Sequence, residues 1–311
     1  MTTPFPLLRL PRLALISVFT QMEVIEIIAF SVLSKRTCNL SKILCKKISS
    51  RYIDMVIVNN CLRMRIALTN GSFFALYFNP DNSKTVEVFY PYKKIQWENV
   101  GLSTKQCIER VFDVTKCSSL REVILNGTPN YNLFSVFNVV PQISNLHISH
   151  NCTKAFASKA LQILLPVTSS ITFSKFFFSN RREFQRVWMG NIDCLCIHYD
   201  DLSSVNFNID DLLASNAVKL ELSDVPMSLR DLNRFFSCWL NKTSNRSLKH
   251  LSVKSLEDIN EDVLLNGLDA TRSTAKRTRE FRSTSTFTQL TTFTGVFKVR
   301  RIDGKMAVTL S

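Results

Sequence analysis

The side chains best suited to chemistry in this sequence are thiols and imidazoles. Cys194 and Cys196 stand two residues apart. On a β-strand that spacing puts both on one face, where two thiolates make half of a zinc site. A second pair with suitable geometry is not evident from the sequence, so both read as structural thiols. His147 and His150 are three apart, which on a strand turns them to opposite faces and argues against joint metal binding. Cys107 and Cys117 read as small buried hydrophobes. The nine cysteines are an odd, scattered set that fits a reducing compartment. Seven glycines in 311 residues form no G-x-G-x-x-G, no P-loop and no G-x-S-x-G elbow. The expectation is a chain with no catalytic residue, no cofactor and no metal, which acts by binding.

Charge offers a second kind of chemistry. Lys and Arg number 39 against 25 Asp and Glu, a net charge of +14. The densest basic cluster is Arg272, Lys276, Arg277, Arg279 and Arg282, interrupted by Glu280. Elsewhere the basic residues are spread out and read as a solvated surface. A basic repeat protein that binds nucleic acid is the alternative, and it predicts binding that weakens steeply with salt. The first apolar stretch is broken by Arg9, Pro11 and Arg12, and its longest uninterrupted run is Leu13 to Ile16. That is far short of the roughly 20 residues that span a bilayer. A soluble cytoplasmic or nuclear protein, with no membrane partner, is expected. The sequons at Asn70, Asn126 and Asn151 are read as chance.

The elements that must position these residues begin with a helical segment, 5–50. Pro11 suits the first turn of a helix. Leu15, Val18, Phe19 and Met22 follow at i, i+3, i+4 and i+7, one helical face. A second run, Val24 to Leu33, is apolar nearly all round and should be buried on several sides. A third helix starts near Ser34, with Leu40, Leu44 and Ile48 inside and Lys42, Lys46 and Lys47 outside. Residues 51–92 change character. Tyr52–Val58, Arg63–Leu68, Ser72–Phe78 and Lys84–Tyr90 are β-branched and aromatic runs; Thr69-Asn70-Gly71 and Asn79-Pro80-Asp81-Asn82 separate the later ones. This predicts an antiparallel meander.

From residue 120 an apolar-x-x-apolar-x-apolar pattern repeats. It starts at Leu120, Ile143, Thr168, Ile192, Ala217 and Leu248, in steps of 23 to 31 residues. Each unit reads as a short strand with a return segment, and stacking several buries the face that one alone cannot. Thr153–Leu165 and Ser228–Leu240 read as helical returns. In the second, Ser228 can cap, and Leu232, Phe235, Phe236 and Trp239 share one face. A leucine-rich-repeat-like solenoid is the reading adopted; an ordinary α/β layer over a parallel sheet is the alternative. Residues 271–294, rich in Thr, Ser and Arg, read as an irregular linker. Phe297–Ile302 and Met306–Leu310 read as a hairpin around Asp303-Gly304.

Between the inward positions, Glu122 and Ile124, Asn145 and His147, Ser170 and Thr172, Cys194 and Cys196, Lys219 and Glu221, and His250 and Ser252 should form adjacent rungs of an exposed strand face. Asn145, His147, Thr172, Cys196, Lys219, Glu221 and His250 are the candidate target-binding residues.

Three blocks carry a resemblance. Phe5-Pro6-Leu7-Leu8-Arg9-Leu10-Pro11, with Glu26-Ile27-Ile28-Ala29-Phe30-Ser31 and Ser34-Lys35-Arg36 behind it, resembles an F-box of the large nematode-expanded family. Leu229-Arg230-Asp231-Leu232-Asn233-Arg234-Phe235 with Trp239, and Phe297-Lys298-Val299-Arg300-Arg301-Ile302-Asp303-Gly304, resemble its type 2 F-box-associated domain. The resemblance implies a non-catalytic substrate-recognition subunit of a Skp–cullin–F-box ubiquitin ligase. Its partners would be a Skp-family adaptor, through it a cullin, and an unidentified target protein. Carried over, the adaptor-binding residues are Leu10 and Pro11, then Leu15, Val18 and Phe19, with Met22, Ile28, Ser34 and Lys35 matching less specifically. Phe19 departs from the family, which commonly keeps an aliphatic residue there. An interaction scaffold that no longer engages a ligase is a further alternative. The expected architecture is mixed α+β/αβ. A three-helix F-box (5–50) precedes an antiparallel β meander (51–92) and a leucine-rich-repeat-like strand-helix domain (93–311) ending in a β-hairpin.

Overall fold

A computed structural model describes residues 7–44, 50–79, 84–90, 93–99, 101–175, 177–178, 180–198, 207–225, 227–241, 243–248, 250–255, 260–268, 270–273, 277–281, 289–293, 296–300 and 306–307. The chain forms two compact units. One comprises Met1–Ile124 with Thr128–Ile143, the other Leu125–Gly127 with Ser144–Ser311.

The first unit opens with three helices: α1 (Arg12–Gln21), α2 (Val24–Leu33) and α3 (Lys35–Leu44). Each start has a local cause. Pro11 precedes α1 and needs no N–H partner there, while its carbonyl accepts the Leu15 N–H at 3.0 Å. Glu23 and Glu26 form a capping box on α2, with the Glu23 N–H 2.8 Å from Glu26 Oε2. Ser34 and Thr37 do the same on α3 at 2.8 and 3.1 Å. Leu15, Phe19, Ile25, Ile27 and Ile28 are buried, and Phe19 meets Phe30 edge-on at 5.2 Å. The buried Ser31 and Thr37 hydroxyls donate to the carbonyls of Ile28 and Ser34, so neither is stranded. The expected continuation of the third helix to Ile48, with Lys46 and Lys47, lies outside the described residues.

Behind them runs the antiparallel meander: β1 (Ser50–Ile57), β2 (Leu62–Leu68), β3 (Phe73–Phe78), β4 (Thr85–Tyr90) and β5 (Lys93–Glu98). Gly71, at φ +87°, makes the β2–β3 turn, and Asn70 Oδ1 accepts the Ser72 N–H at 3.0 Å. Pro80, Asp81 and Asn82 of the other expected turn lie outside the described residues. Ile53, Met55, Ile57, Met64, Ile66 and Phe74 are fully buried beneath the sheet. The unit runs on past residue 92. It adds β5, α4 (Thr104–Thr115), β6 (Ser119–Leu125) and α5 (Phe134–Phe137), and its strands lie in the order β6-β1-β2-β3-β4-β5. Arg121 on β6 forks onto the buried Asp54 of β1, Nε to Oδ1 at 2.8 Å, and lies 3.6 Å above the Tyr52 ring. α4 anchors the three helices: Arg110 Nη1 donates to the Val32 carbonyl at 2.7 Å, and Lys42 pairs with Asp113.

In the second unit β7 (Gln142–Ile148), β8 (Thr168–Phe173), β9 (Cys194–His198), β10 (Lys219–Val225) and β11 (His250–Ser255) lie in the order β11-β10-β9-β8-β7. β8 to β11 pair in parallel. All six repeat strands, β6 included, fall where the periodicity put them, and the apolar positions are buried throughout, from Leu120 at 0% to Val253 at 6% exposure. Helical returns connect the strands: α6 (Lys154–Leu164), α7 (Arg181–Trp188), α8 (Ile209–Ala214) and α9 (Leu229–Leu240), with α10 (Glu261–Leu264) after β11. Thr153, Asn180, Asn208, Ser228 and Asn260 each cap a helix with a side-chain oxygen. Successive returns are clasped by buried polar groups. Trp188 Nε1 donates to the Asp211 carbonyl, Arg181 pairs with Asp211 at 2.7 Å, and Asn245 Nδ2 donates to the Leu212 and Ser215 carbonyls at 2.8 and 2.9 Å.

The linker expected over 271–294 is corrected. β12 (Ala270–Ser273), β13 (Arg277–Phe281) and β14 (Gln289–Phe293) lie there. β13 pairs with β14, and β12 with β15 (Val296–Arg300), both antiparallel. The threonines that argued for a loop are also good strand formers. β15 pairs antiparallel with β16 (Met306–Ala307); Asp303-Gly304, the expected turn, lies outside the described residues.

Candidate functional site

On the three-helix module, the side chains expected at an adaptor contact divide in two. Leu15, Phe19 and Ile28 are 6%, 3% and 0% exposed, so they form the interior of the module. Their place at a contact surface is corrected: each is consumed by packing between the helices. Leu10, Val18, Met22 and Ser34 are half-buried, and Pro11 and Lys35 are exposed. The surface also carries apolar side chains that periodicity passed over. Leu13 is 80% exposed, Ile43 57%, Leu33 46% and Ile16 38%. Leu13 and Ile16 share a face of α1 that Leu15 and Phe19 do not use. Their signal lay in the sequence all the same, since α1 and α2 carry more apolar residues than one buried stripe can take. Beside Leu33 opens a cleft of about 550 Å³ between α2 and β5, lined by Met22, Ala29, Phe30, Ile95 and Trp97.

In the second unit the predicted rungs align. Ser170, Cys194, Lys219 and His250 are register partners in one row, and Thr172, Cys196, Glu221 and Ser252 in the next. Exposure along the rungs is uneven. Asn145, Thr172 and Cys196 are 6%, 1% and 3% exposed, so an open surface at these three is corrected: their side chains are buried. His147, Lys219 and Glu221 are half-buried. Lys219 Nζ lies 2.7 Å from Glu221 Oε1, and His147 Nε2 2.9 Å from Ser174 Oγ.

Electrostatics distinguish one thiol from the rest. Burial pushes the thiols of Cys38, Cys61, Cys117 and Cys152 up, and that of Cys107 up to about 11. These stay protonated and inert, as small hydrophobes do. Cys194 is instead lowered to about 7, chiefly by the hydrogen bond with Cys196, then by Ser170 and the Lys219 charge against the opposing effect of burial. Cys196 is raised by the same hydrogen bond and by burial. Burial works to lower Lys219, but the hydrogen bond and charge of Glu221, with the two thiols, outweigh it and leave Lys219 raised. Among the described residues no helix is long and apolar enough to cross a membrane.

These features define an α/β protein fronted by a helical interaction module with apolar side chains left in solvent. Residues 7–49 match the F-box domain family, and residues 183–253 match the family described as F-box associated. Both matches agree with the resemblance read from the sequence. No curated protein and no solved structure matches it. F-box domains generally bind a Skp adaptor and through it a cullin, and F-box proteins are generally non-catalytic adaptor subunits of ubiquitin ligases. The F-box match coincides with α1 to α3. The F-box-associated match spans α7 to β11, the most regular run of strand and return in the second unit.

Proposed function

We propose that this chain is the substrate-recognition subunit of a Skp–cullin–F-box ubiquitin ligase. Its F-box docks the Skp adaptor, and its leucine-rich-repeat-like second unit holds a target protein on the strand face. The observation that carries the reading is the set Leu13, Ile16, Leu33 and Ile43, apolar and in solvent on a module whose own interior is already filled. Such side chains lower their free energy by meeting a partner. The half-buried Leu10, Val18 and Met22 and the exposed Pro11 border them in sequence, and α4 holds the module at Val32 and Lys42. A ligase subunit of this kind works in the cytoplasm, the nucleus or both, where adaptor and cullin reside.

The test is co-purification with the Skp adaptor, comparing the natural chain with Leu13→Asp/Ile16→Asp and with Leu10→Ala/Pro11→Ala. The first pair lies at the surface and leaves the helical circular dichroism unchanged. Adaptor capture falls by at least about tenfold, the loss of roughly 1.4 kcal/mol or more of apolar contact. Undiminished capture by the aspartate pair, or no capture by the natural chain, would overturn the proposal.

A further inference from the structure

The strand face of the second unit holds a cluster whose chemistry goes beyond target recognition. β9 places Cys194, Cys196 and His198 at successive alternate positions, so all three leave the same face of the sheet. Glu221 on β10 is the register partner of Cys196. Among the described residues, the Cys196 sulfur, a His198 ring nitrogen and a Glu221 carboxylate oxygen all lie within 4.8 Å of one another. Cys196 Sγ is 3.2 Å from Glu221 Oε2 and 3.6 Å from Cys194 Sγ. In a tetrahedral zinc site, with Zn–S near 2.3 Å and Zn–N or Zn–O near 2.0–2.1 Å, ligand atoms stand roughly 3.3–3.8 Å apart. The Cys196–Glu221 distance approaches that spacing already, and the widest gap among the three ligand atoms closes with a shift of roughly 1 Å in side chains.

We propose that Cys196, His198 and Glu221 form a zinc-binding site on this face, with solvent at the fourth position. The donor set is a thiolate, an imidazole and a carboxylate, a mixture that suits a borderline cation of tetrahedral preference. Lys219 completes the arrangement without touching the metal. Its Nζ lies 2.7 Å from Glu221 Oε1, which orients the carboxylate and leaves Oε2 toward Cys196. On binding, the Cys196 thiol gives its proton to solvent and a sulfur lone pair to the cation, and no electron transfer occurs. The exposed His198 marks the side by which the ion arrives, while the buried Cys196 forms the floor. With Cys196 and His198 on β9 and Glu221 on β10, the ion staples the two strands.

The experiment titrates the reduced full-length chain, free of any polyhistidine tag, with cobalt(II) and then with zinc. The expected result is a thiolate-to-cobalt charge-transfer band that saturates at one ion per chain and is abolished by zinc. His198→Ala changes an exposed residue and keeps the fold. It weakens cobalt affinity by more than about tenfold, and Lys219→Met, acting through Glu221, by about tenfold. The absence of a charge-transfer band in the natural chain overturns the proposal. So does unchanged affinity in both His198→Ala and Glu221→Gln, or recovery of Cys194 and Cys196 as a disulfide that excludes the metal under reducing conditions. None of these readouts involves the adaptor, so the site and the ligase role fail or stand separately.

Discussion

His147 is a side chain whose charge the fold decides. Burial holds it below its ordinary value near 6.5, and the neighbouring His198 and His150 add to the effect. The folded state therefore disfavours the imidazolium. In the unfolded chain His147 takes its proton as pH falls through about 6.5, while in the fold it resists. Stability present above that pH is lost below it, down to the depressed folded value. The melting temperature of the natural chain should drop between about pH 7.5 and pH 5.5 by more than that of His147→Gln, which cannot titrate. Equal drops would remove His147 from the account. At this scale the sequence was readable only in part. The alternation that placed His147 on the strand face was visible; the ring's burial depends on Ser174, 27 residues away. The same holds for Cys196. Its neighbour His198 shows a plain two-residue spacing, but Glu221 reaches it only because β9 and β10 pair in one particular register.

Helices and strands were legible wherever one face is buried and the other wet. α9 is the clearest case: Ser228, Leu232, Phe235, Phe236 and Trp239 stand where a capped amphipathic helix requires them. Ser228 Oγ accepts the Asp231 N–H at 3.2 Å and donates to the Asp231 carboxylate at 2.7 Å. Ser228→Ala should cost about 1 kcal/mol, seen as a lower urea midpoint with the same slope. A change in slope instead would mean that the cap holds more than its own helix. β5 escaped the reading because Lys93, Lys94, Gln96 and Glu98 leave Ile95 and Trp97 as its whole apolar content. α4 escaped for a different reason. Its capping box at Ser103 and Gln106 and its apolar run of Cys107, Ile108, Val111 and Phe112 were present, but they form a single isolated helix between two runs of strand signal. The three short strands over 270–293 were hidden by composition, since Ser, Thr and Arg serve exposed strands and loops alike.

For the whole molecule, the proposed division of labour would make the rung face of the second unit the place to alter target choice without touching the adaptor. Exchanging the charges of the half-buried pair, Lys219→Glu with Glu221→Lys, keeps one attraction between neighbours on β10 and reverses the field each presents outward. Quantitative comparison of proteins captured by the two forms, both freed of metal because Glu221 is also a proposed ligand, should show the target lost and the Skp adaptor retained at equal yield. Retention of the same target would move recognition off this face. The solenoid-like spacing was apparent in the sequence because repeats of 23 to 31 residues rewrite one short signal six times.

The order of strands in the first unit ends at β5, and that strand begins with two lysines, both exposed. An unpaired strand offers a row of free amides and carbonyls to any extended peptide that passes. Here an intruder would have to strip water from Lys93 and Lys94, and another molecule of the same protein would bring a matching pair of ammonium groups against them. The rim thus discourages the growth of fibrils from a protein that, alone, keeps oily side chains uncovered.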